Sequence, residues 1–410
     1  MPPSDTLPLT GIRVIDLTRV FAGPWCTQAL ADLGAEVIKI ERPGEGDDSR
    51  RLGPPFFADA DTAGGAKSAF YLSANRGKKS VELDISTPEG QDIVRKLCAD
   101  ADVVVENYKV GTLARYGLDH AALRALNPRL VYCSITGFGQ TGPMRHRPGY
   151  DAIFQAMSGL MSMTGEPDGA PGAGPQRIQL VVSDLMTGQF AVQGILAALM
   201  HRERNSGLGQ YIDVALLDSQ IAALSHAAMA YLVSGVPPVR HGTAAPTGAP
   251  SQRYSCQDRP IMLVVGNNEQ FARLCTVIGL PELPADPRFA ANVLRVKHLK
   301  ELNALLEPVL GSRPAQHWID ALDAVGVPCG LINTMDEVFR LPQVVERGMV
   351  VNFPDVGHGP VPSLANPLRF SDTPVRYDLP PPALGEHTHA VLSGLLGMSD
   401  DAIAALPRGR

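Results

Sequence analysis

The chain has 410 residues, 45% of them hydrophobic and 19% charged, a balance that fits a folded soluble protein and excludes intrinsic disorder. A formal net charge of −6 supplies no broad cationic field, so nucleic acid is not an expected partner and any anionic ligand has to be held by individual arginines. Six scattered cysteines with no C-x-x-C pair exclude a disulfide framework and a cysteine zinc site, and suit a reducing, cytoplasmic setting.

The opening "MPPSDTLPLTG" lacks a basic start and an apolar core, so no signal peptide is expected. "IRVIDL" (12–17) and "EVIKIE" (36–41) are β-branched runs flanking "GPWCTQALADLGA". That segment reads as a helix with Pro24 in its first turn and Gly34 past its end. A third strand, "DVVVEN" (102–107), follows the helical "TPEGQDIVRKLCADA", where Thr87 and Pro88 read as N-cap and first helical residue. A fourth, "LVYCSITGFG" (130–139), follows "HAALRALNP". Strands alternating with helices at this spacing predict βαβ units and an α/β, Rossmann-like large domain with a parallel sheet.

Two long helices are predicted next, over 185–203 and about 213–234, separated by "RNSGLGQYID". Apolar stretches here are too short for a membrane span, or are broken by Gln193, Asp218 and His226, so no membrane partner is expected. Beyond "HGTAAPTGAPSQRYS" the character changes: "IMLVVG" (261–266) leads into short amphipathic helices to about residue 325. The expected organisation is a large domain over 1–205, a linker helix over 206–240, a smaller α+β domain over 241–325, and a C-terminal part over 326–410.

Several chemistries lack their motifs. The first βα turn, "DLTRVFAGPW", has no G-x-G-x-x-G, so a dinucleotide enzyme is not supported even though Glu41 ends the second strand. No H-E-x-x-H or similar spacing supports a metal, and no G-x-S-x-G elbow is present. What remains is a strand-end cluster: Arg42 after the second strand, Asn107 and Tyr108 after the third, and Arg115 shortly beyond. Arginine can grip phosphate bidentately and tyrosine can offer a face to a base. Asp184 precedes the apolar run "QFAVQGILAALM". Its ordinary reading is a helix N-cap; its functional one is a carboxylate held at a helix mouth, where the dipole favours the ionised form.

"GIRVIDLTRVFAGPWCTQALADLGAEVIKIERPGEGDDSR", "NRGKKSVELD", "VENYKVGTLARYGL", "SDLMTG" and "PALGEHT" together resemble class III CoA-transferases. These are the family of formyl-CoA and carnitine CoA-transferases and α-methylacyl-CoA racemases, and the likeness runs nearly end to end. It implies that Asp184 is the catalytic aspartate. It also implies that Ala22, Arg42, Leu83, Asn107, Tyr108 and Arg115 contact coenzyme A. The coenzyme A thioester would be a substrate, with no permanently bound cofactor. The resemblance further implies an interlocked homodimer whose large domain is built from both chain ends.

Under that resemblance, Asp184 attacks a thioester to form an anhydride and then an aspartyl-CoA thioester. The "TGFG" turn, with Gly137, Phe138 and Gly139, is a candidate for oxyanion donors. Racemases of the family carry a G-H-D histidine; here Tyr150 stands in its place, and an ordinary phenol with pKa about 10 is a poor base at neutral pH. His146, four residues earlier, keeps racemase or epimerase activity as the alternative, beside an inactive CoA-binding paralogue. Phe21 and Thr136-Gly137-Phe138 stand where formyl-CoA transferases have glutamine and K-G-Y. Other segments resemble the branch that moves CoA from succinyl-CoA to glutarate or hydroxymethylglutarate, so a small dicarboxylate is the expected acceptor. Arg19, with His241 second, is the expected cation for its distal carboxylate.

Overall fold

A computed structural model of the protein describes residues 6–57, 67–354 and 360–407. The chain divides into two compact units: one contains 1–159, 178–233 and 345–410, the other 160–177 and 234–344.

The first unit is built on a six-stranded, wholly parallel sheet. Its strands are β1 (Arg13–Leu17), β2 (Glu36–Glu41), β3 (Lys78–Glu82), β4 (Val103–Glu106), β5 (Val131–Thr136) and β6 (Tyr211–Ala215), in the spatial order β3-β2-β1-β4-β5-β6. The order reverses between β1 and β4, and in such sheets ligands bind in the crevice beyond the strand ends at that switch point.

Alternation along each strand feeds two cores, one on each face. Ile15, Ile38, Val104 and Tyr132 face one cluster, while Val14, Val37, Val103, Val131 and Cys133 face the other. Burial on both faces is why these strands read as unbroken apolar runs. The second core is closed by α1 (Ala22–Asp32) and by α5 (Val182–His201). The first is closed by α2 (Pro88–Ala99), α3 (His120–Leu126) and α8 (Thr388–Leu396). This unit also contains α4 (Asp151–Met157), α6 (Leu216–Ala223) and, nearly whole, α7 (Ser225–Ser234). Thr87 caps α2 by accepting from the Gly90 N–H at 3.1 Å, and Pro88 opens it.

The structure differs from the sequence reading at several points here. β3 reads "KKSVE", a charged run for which no element was expected; the Lys78 ammonium is fully buried and neutralised by Asp16 at 3.1 Å. The stretch expected to be helical from about 213 begins instead as β6. Gly209 allows that entry, since a Cβ there would lie 2.1 Å from the Leu130 carbonyl oxygen. The helix that follows is broken at Ser225 (φ +47°), so α6 and α7 meet at a 77° bend. α5, running on through Ser206, also proves long and apolar enough to cross a membrane by length and composition. Its apolarity has another use, because Ala191, Val192, Ile195 and Ala198 fill the second core.

The second unit carries a three-stranded antiparallel sheet of β7 (Ser251–Ser255), β8 (Pro260–Val264) and β9 (Cys329–Leu331). Pairing of β9 with β8 carries this unit past residue 325, where the sequence reading ended it. Residues 160–177 join it through the Gly242 N–H to the Gly165 carbonyl (3.0 Å) and Arg240 to the Ser162 carbonyl (3.1 Å).

Candidate active site

The loop after β1 is pinned at every peptide. The Thr18 N–H donates to Asp16 (2.8 Å) and its carbonyl accepts from Lys39 (2.8 Å). The Arg19 N–H donates to the Asn107 side-chain oxygen (2.9 Å), and the Asn107 amide donates back to the Arg19 carbonyl (2.7 Å). The Val20 N–H donates to Asp47 (3.0 Å). Val20 has φ +70°, a left-handed conformation that is unfavourable for a β-branched residue. The surrounding bonds over-determine it, as strained residues at functional sites require. Asp47 is itself buried and paired with Lys39 at 2.8 Å. Both sides of the switch point are thereby locked together, and the next two residues, Phe21 and Ala22, start α1 in a fixed place.

Asp184 meets α1 there. It is the third residue of α5, inside the first turn, with Val181 as N-cap and no side-chain cap bond. The expected capping role falls to another helix: Asp151 accepts from the Ser183 N–H at 2.8 Å. The Ala22 N–H lies close enough to the Asp184 carboxylate to favour its ionised form. Gly188, one turn further along the same face, makes that approach possible. A Cβ there would fall 2.8 Å from the Ala22 carbonyl oxygen and 2.9 Å from Cδ1 of Trp25.

The helix mouth does not dominate the ionisation of Asp184. Burial, reinforced by the Asp151 carboxylate, pushes its carboxyl up to about 7, against the pull of the Ala22 and Asp184 N–H groups. A carboxylate so placed is more basic than an ordinary aspartate and still ionised above neutrality.

The remaining expected residues separate into groups. Arg19 stacks over the Tyr108 ring at 5.1 Å and reaches Asp48 at 3.4 Å. It lines a cleft with Thr18, Arg42, Gly46, Asp47 and Tyr108. Its neighbours are therefore the strand-end residues expected to contact coenzyme A. Arg42 is exposed and pairs with Glu45 at 2.6 Å, and Arg115 is exposed in the short turn Leu113–Tyr116. The Leu83 side chain lies in the first core, and its N–H donates to the Glu41 carbonyl at 2.9 Å. The Asn107 side chain is engaged by Arg19, a clamping role its residue type alone did not disclose. Phe21 is buried between Trp25 and Phe70, with ring centroids at 5.8 and 4.8 Å.

Gly137, Phe138 and Gly139 lie against α4. A Cβ on Gly137 would come within 2.8 Å of the Phe154 ring, and the Phe138 ring packs edge-on against Phe154 at 5.2 Å. Gly139 adopts φ +84°, and the Gln140 N–H donates to Asp213 at 2.9 Å, fixing the turn. Tyr150 is the N-cap of α4 and 76% exposed; His146 is exposed and accepts from Arg145 at 3.1 Å. His241 lies in the second unit, exposed beside Gly242. A cavity lined by Asp32, Glu36, Arg76 and Tyr377 holds none of these groups; it adjoins the strand starts at the opposite sheet edge. Residues missed from sequence are Asp151, Gly188 and Asp47. Only the Asp151–Gln155 spacing carried a local signal, that of an i,i+4 helical pair.

The family model for CoA-transferase family III matches residues 9–388. A succinate–glutarate CoA-transferase from Agrobacterium fabrum is 47% identical, covering 96% of this chain and 97% of its own. The human succinyl-CoA:glutarate CoA-transferase is 43% identical over 97% of this chain and 88% of its own. The crystal structure of a CAIB/BAIF family protein from Brucella suis superposes with a TM-score of 0.84 at 45% identity, covering 95% of this chain and all of that one. A family match spanning this much of the sequence, with relatives of this identity, means that the chain belongs to CoA-transferase family III.

Proposed function

We propose that the protein transfers coenzyme A from succinyl-CoA to a small dicarboxylic acid of the glutarate type, with Asp184 as nucleophile. The observation that carries the mechanism is the Asp184 carboxyl, raised in basicity and placed at the Ala22 N–H beside the switch-point crevice. The substrate class rests on the named activities of the relatives.

In the first step an Asp184 oxygen bonds to the thioester carbon, the C–S bond breaks, and CoA leaves as thiolate. The thiolate attacks the Asp184 side-chain carbonyl of the resulting anhydride, breaking its C–O bond and releasing succinate. The acceptor carboxylate then attacks the aspartyl thioester and frees the thiolate. Attack of that thiolate on the acceptor's acyl carbon completes the transfer and restores Asp184. No proton is gained or lost overall. The Ala22 N–H, fixed by the pinned loop, is a donor for the developing oxyanion, and the Gly137–Gly139 turn is a second source.

The Arg19, Arg42 and Tyr108 cleft is the reading for the nucleotide end of coenzyme A, with Arg115 an exposed cation beyond it. A dicarboxylate also needs a cation for its distal end. Arg147 supports that role better than Arg19: it lies over the Phe138 ring at 5.9 Å and pairs with no carboxylate among the described residues. A self-associated protein is part of the same reading, because α7 exposes Met229, Leu232 and Val233, an apolar face that monomers rarely leave in water. Incubating the protein with succinyl-CoA and a panel of mono- and dicarboxylic acids, and identifying the CoA esters by mass, tests the proposal. Glutaryl-type esters are expected; esters of monocarboxylates alone would refute the substrate class.

A further inference from the structure

Asp151 and Asp184 form an unfavourable pair, two carboxylates at the mouth of one helix, and a buried set of hydrogen bonds maintains it. Asp151 accepts from the Ser183 N–H through one oxygen (2.8 Å) and from the Gln155 amide through the other (2.6 Å). Gln155 donates further to the carbonyls of Ile178 (3.2 Å) and Leu180 (3.0 Å), and accepts from the Ile178 N–H (2.9 Å). Ser183 in turn donates its hydroxyl to Gln220 on α6 at 2.9 Å. Asp151, Gln155, Ser183 and Gln220 are all buried. A buried carboxylate tied this way is not free to turn aside from a neighbouring charge.

We propose that Asp151 is a positioning residue for CoA transfer, fixing the approach segment and first turn of α5 so that Asp184 stays against the Ala22 N–H. The proposal rests on the reading of Asp184 as nucleophile. Capping the turn from α4 leaves the Asp184 side chain free, which an aspartate acting as its own cap would not be. The negative charge of Asp151 has a second consequence. The groups acting on the Asp184 carboxyl are Asp151 from α4, the Ala22 N–H from α1 and its own N–H from α5, with no cation among them. Burial raises the basicity of the nucleophile most and the Asp151 charge adds to it, and nucleophilicity rises with basicity.

The test is the pH dependence of kcat/KM for succinyl-CoA in the wild type, Asp151→Asn and Asp151→Glu. Substrate ionisations are common to all three and cancel in the comparison. For Asp151→Asn the acid limb moves down by about one pH unit, while the plateau above pH 8 falls at least tenfold. Asp151→Glu keeps the charge, so its limb stays within about 0.3 unit of wild type. A limb that stays in place in a folded Asn variant overturns the proposal, because a merely structural role lowers the plateau without moving it. Should Asn not fold, the Glu variant decides: a limb that moves down with the charge still present overturns the proposal equally. Hydroxylamine trapping of the acyl adduct on the same samples separates the two readings. No adduct at Asp184 in wild type removes the nucleophile; an adduct there with an unmoved limb removes only the role of Asp151.

Discussion

Gly188 offers a sharp separation of catalysis from stability. In Gly188→Ala the new methyl carbon meets the Ala22 carbonyl oxygen at 2.8 Å and Trp25 at 2.9 Å, whereas relaxed contacts lie near 3.5 Å. One of the two obstacles is backbone, so α5 and the start of α1 have to part by about 0.5–0.7 Å. Overpacking of this kind costs about 1–3 kcal/mol. Alanine in a helix interior returns about 1 kcal/mol relative to glycine, leaving a net loss of about 0–2 kcal/mol. The displacement falls on the contact between Ala22 and Asp184, and misplacement near 1 Å at a reacting group costs up to about 100-fold. We therefore expect a melting temperature within a few degrees of wild type, unchanged CoA affinity by calorimetry, and kcat reduced about 10- to 100-fold in a chromatographic assay of CoA esters. A folded variant with kcat within twofold of wild type would refute the argument that this close approach sets the nucleophile.

Two further outcomes follow from the charges. The folded Asp184 carboxyl, raised to about 7, keeps its proton where the unfolded chain has lost it. Because only the unfolded chain ionises this group between about pH 4 and about pH 7, stability falls progressively over that range, and the deficit is complete above it. Asp184→Asn removes the deficit, so by thermal melts it should exceed wild type at pH 8 and match it at pH 4; a variant less stable at pH 8 contradicts the raised carboxyl. Arg147→Met should raise KM for a dicarboxylate acceptor about 10- to 100-fold, the value of a charge-assisted hydrogen bond, and leave a monocarboxylate acceptor unaffected. Arg19→Met should weaken CoA binding instead, and the reverse pattern in steady-state kinetics would return the distal carboxylate to Arg19.

Much of the sheet was legible because β1, β2, β4 and β5 are β-branched runs between good helix signals. β3 and β6 were not. A strand whose lysine is neutralised by Asp16, 62 positions away, carries no local apolar pattern, and Tyr211–Ala215 reads equally well as the start of the helix that follows it. Asp184 was singled out through resemblance, and its local appearance as a cap differs from the structure, where Val181 is the N-cap. The true cap, Asp151, lies 32 residues before Ser183, whose N–H it accepts, a distance over which no periodicity argument reaches. Arg19 was placed correctly in the first βα loop, but the stacking on Tyr108 that turns it toward the other strand end is a tertiary contact. Asn107 shows the same limit: its type suggested a ligand contact, while its amide is spent on closing the loop.

The central claim is a covalent bond between Asp184 and the donor. Mixing the protein with succinyl-CoA in the absence of acceptor, quenching with hydroxylamine and mapping the peptides by mass spectrometry tests it directly. The account predicts a hydroxamate on Asp184, absent without succinyl-CoA and absent in Asp184→Asn. An unmodified Asp184 in protein that is turning over, or a modification on another residue, would contradict it.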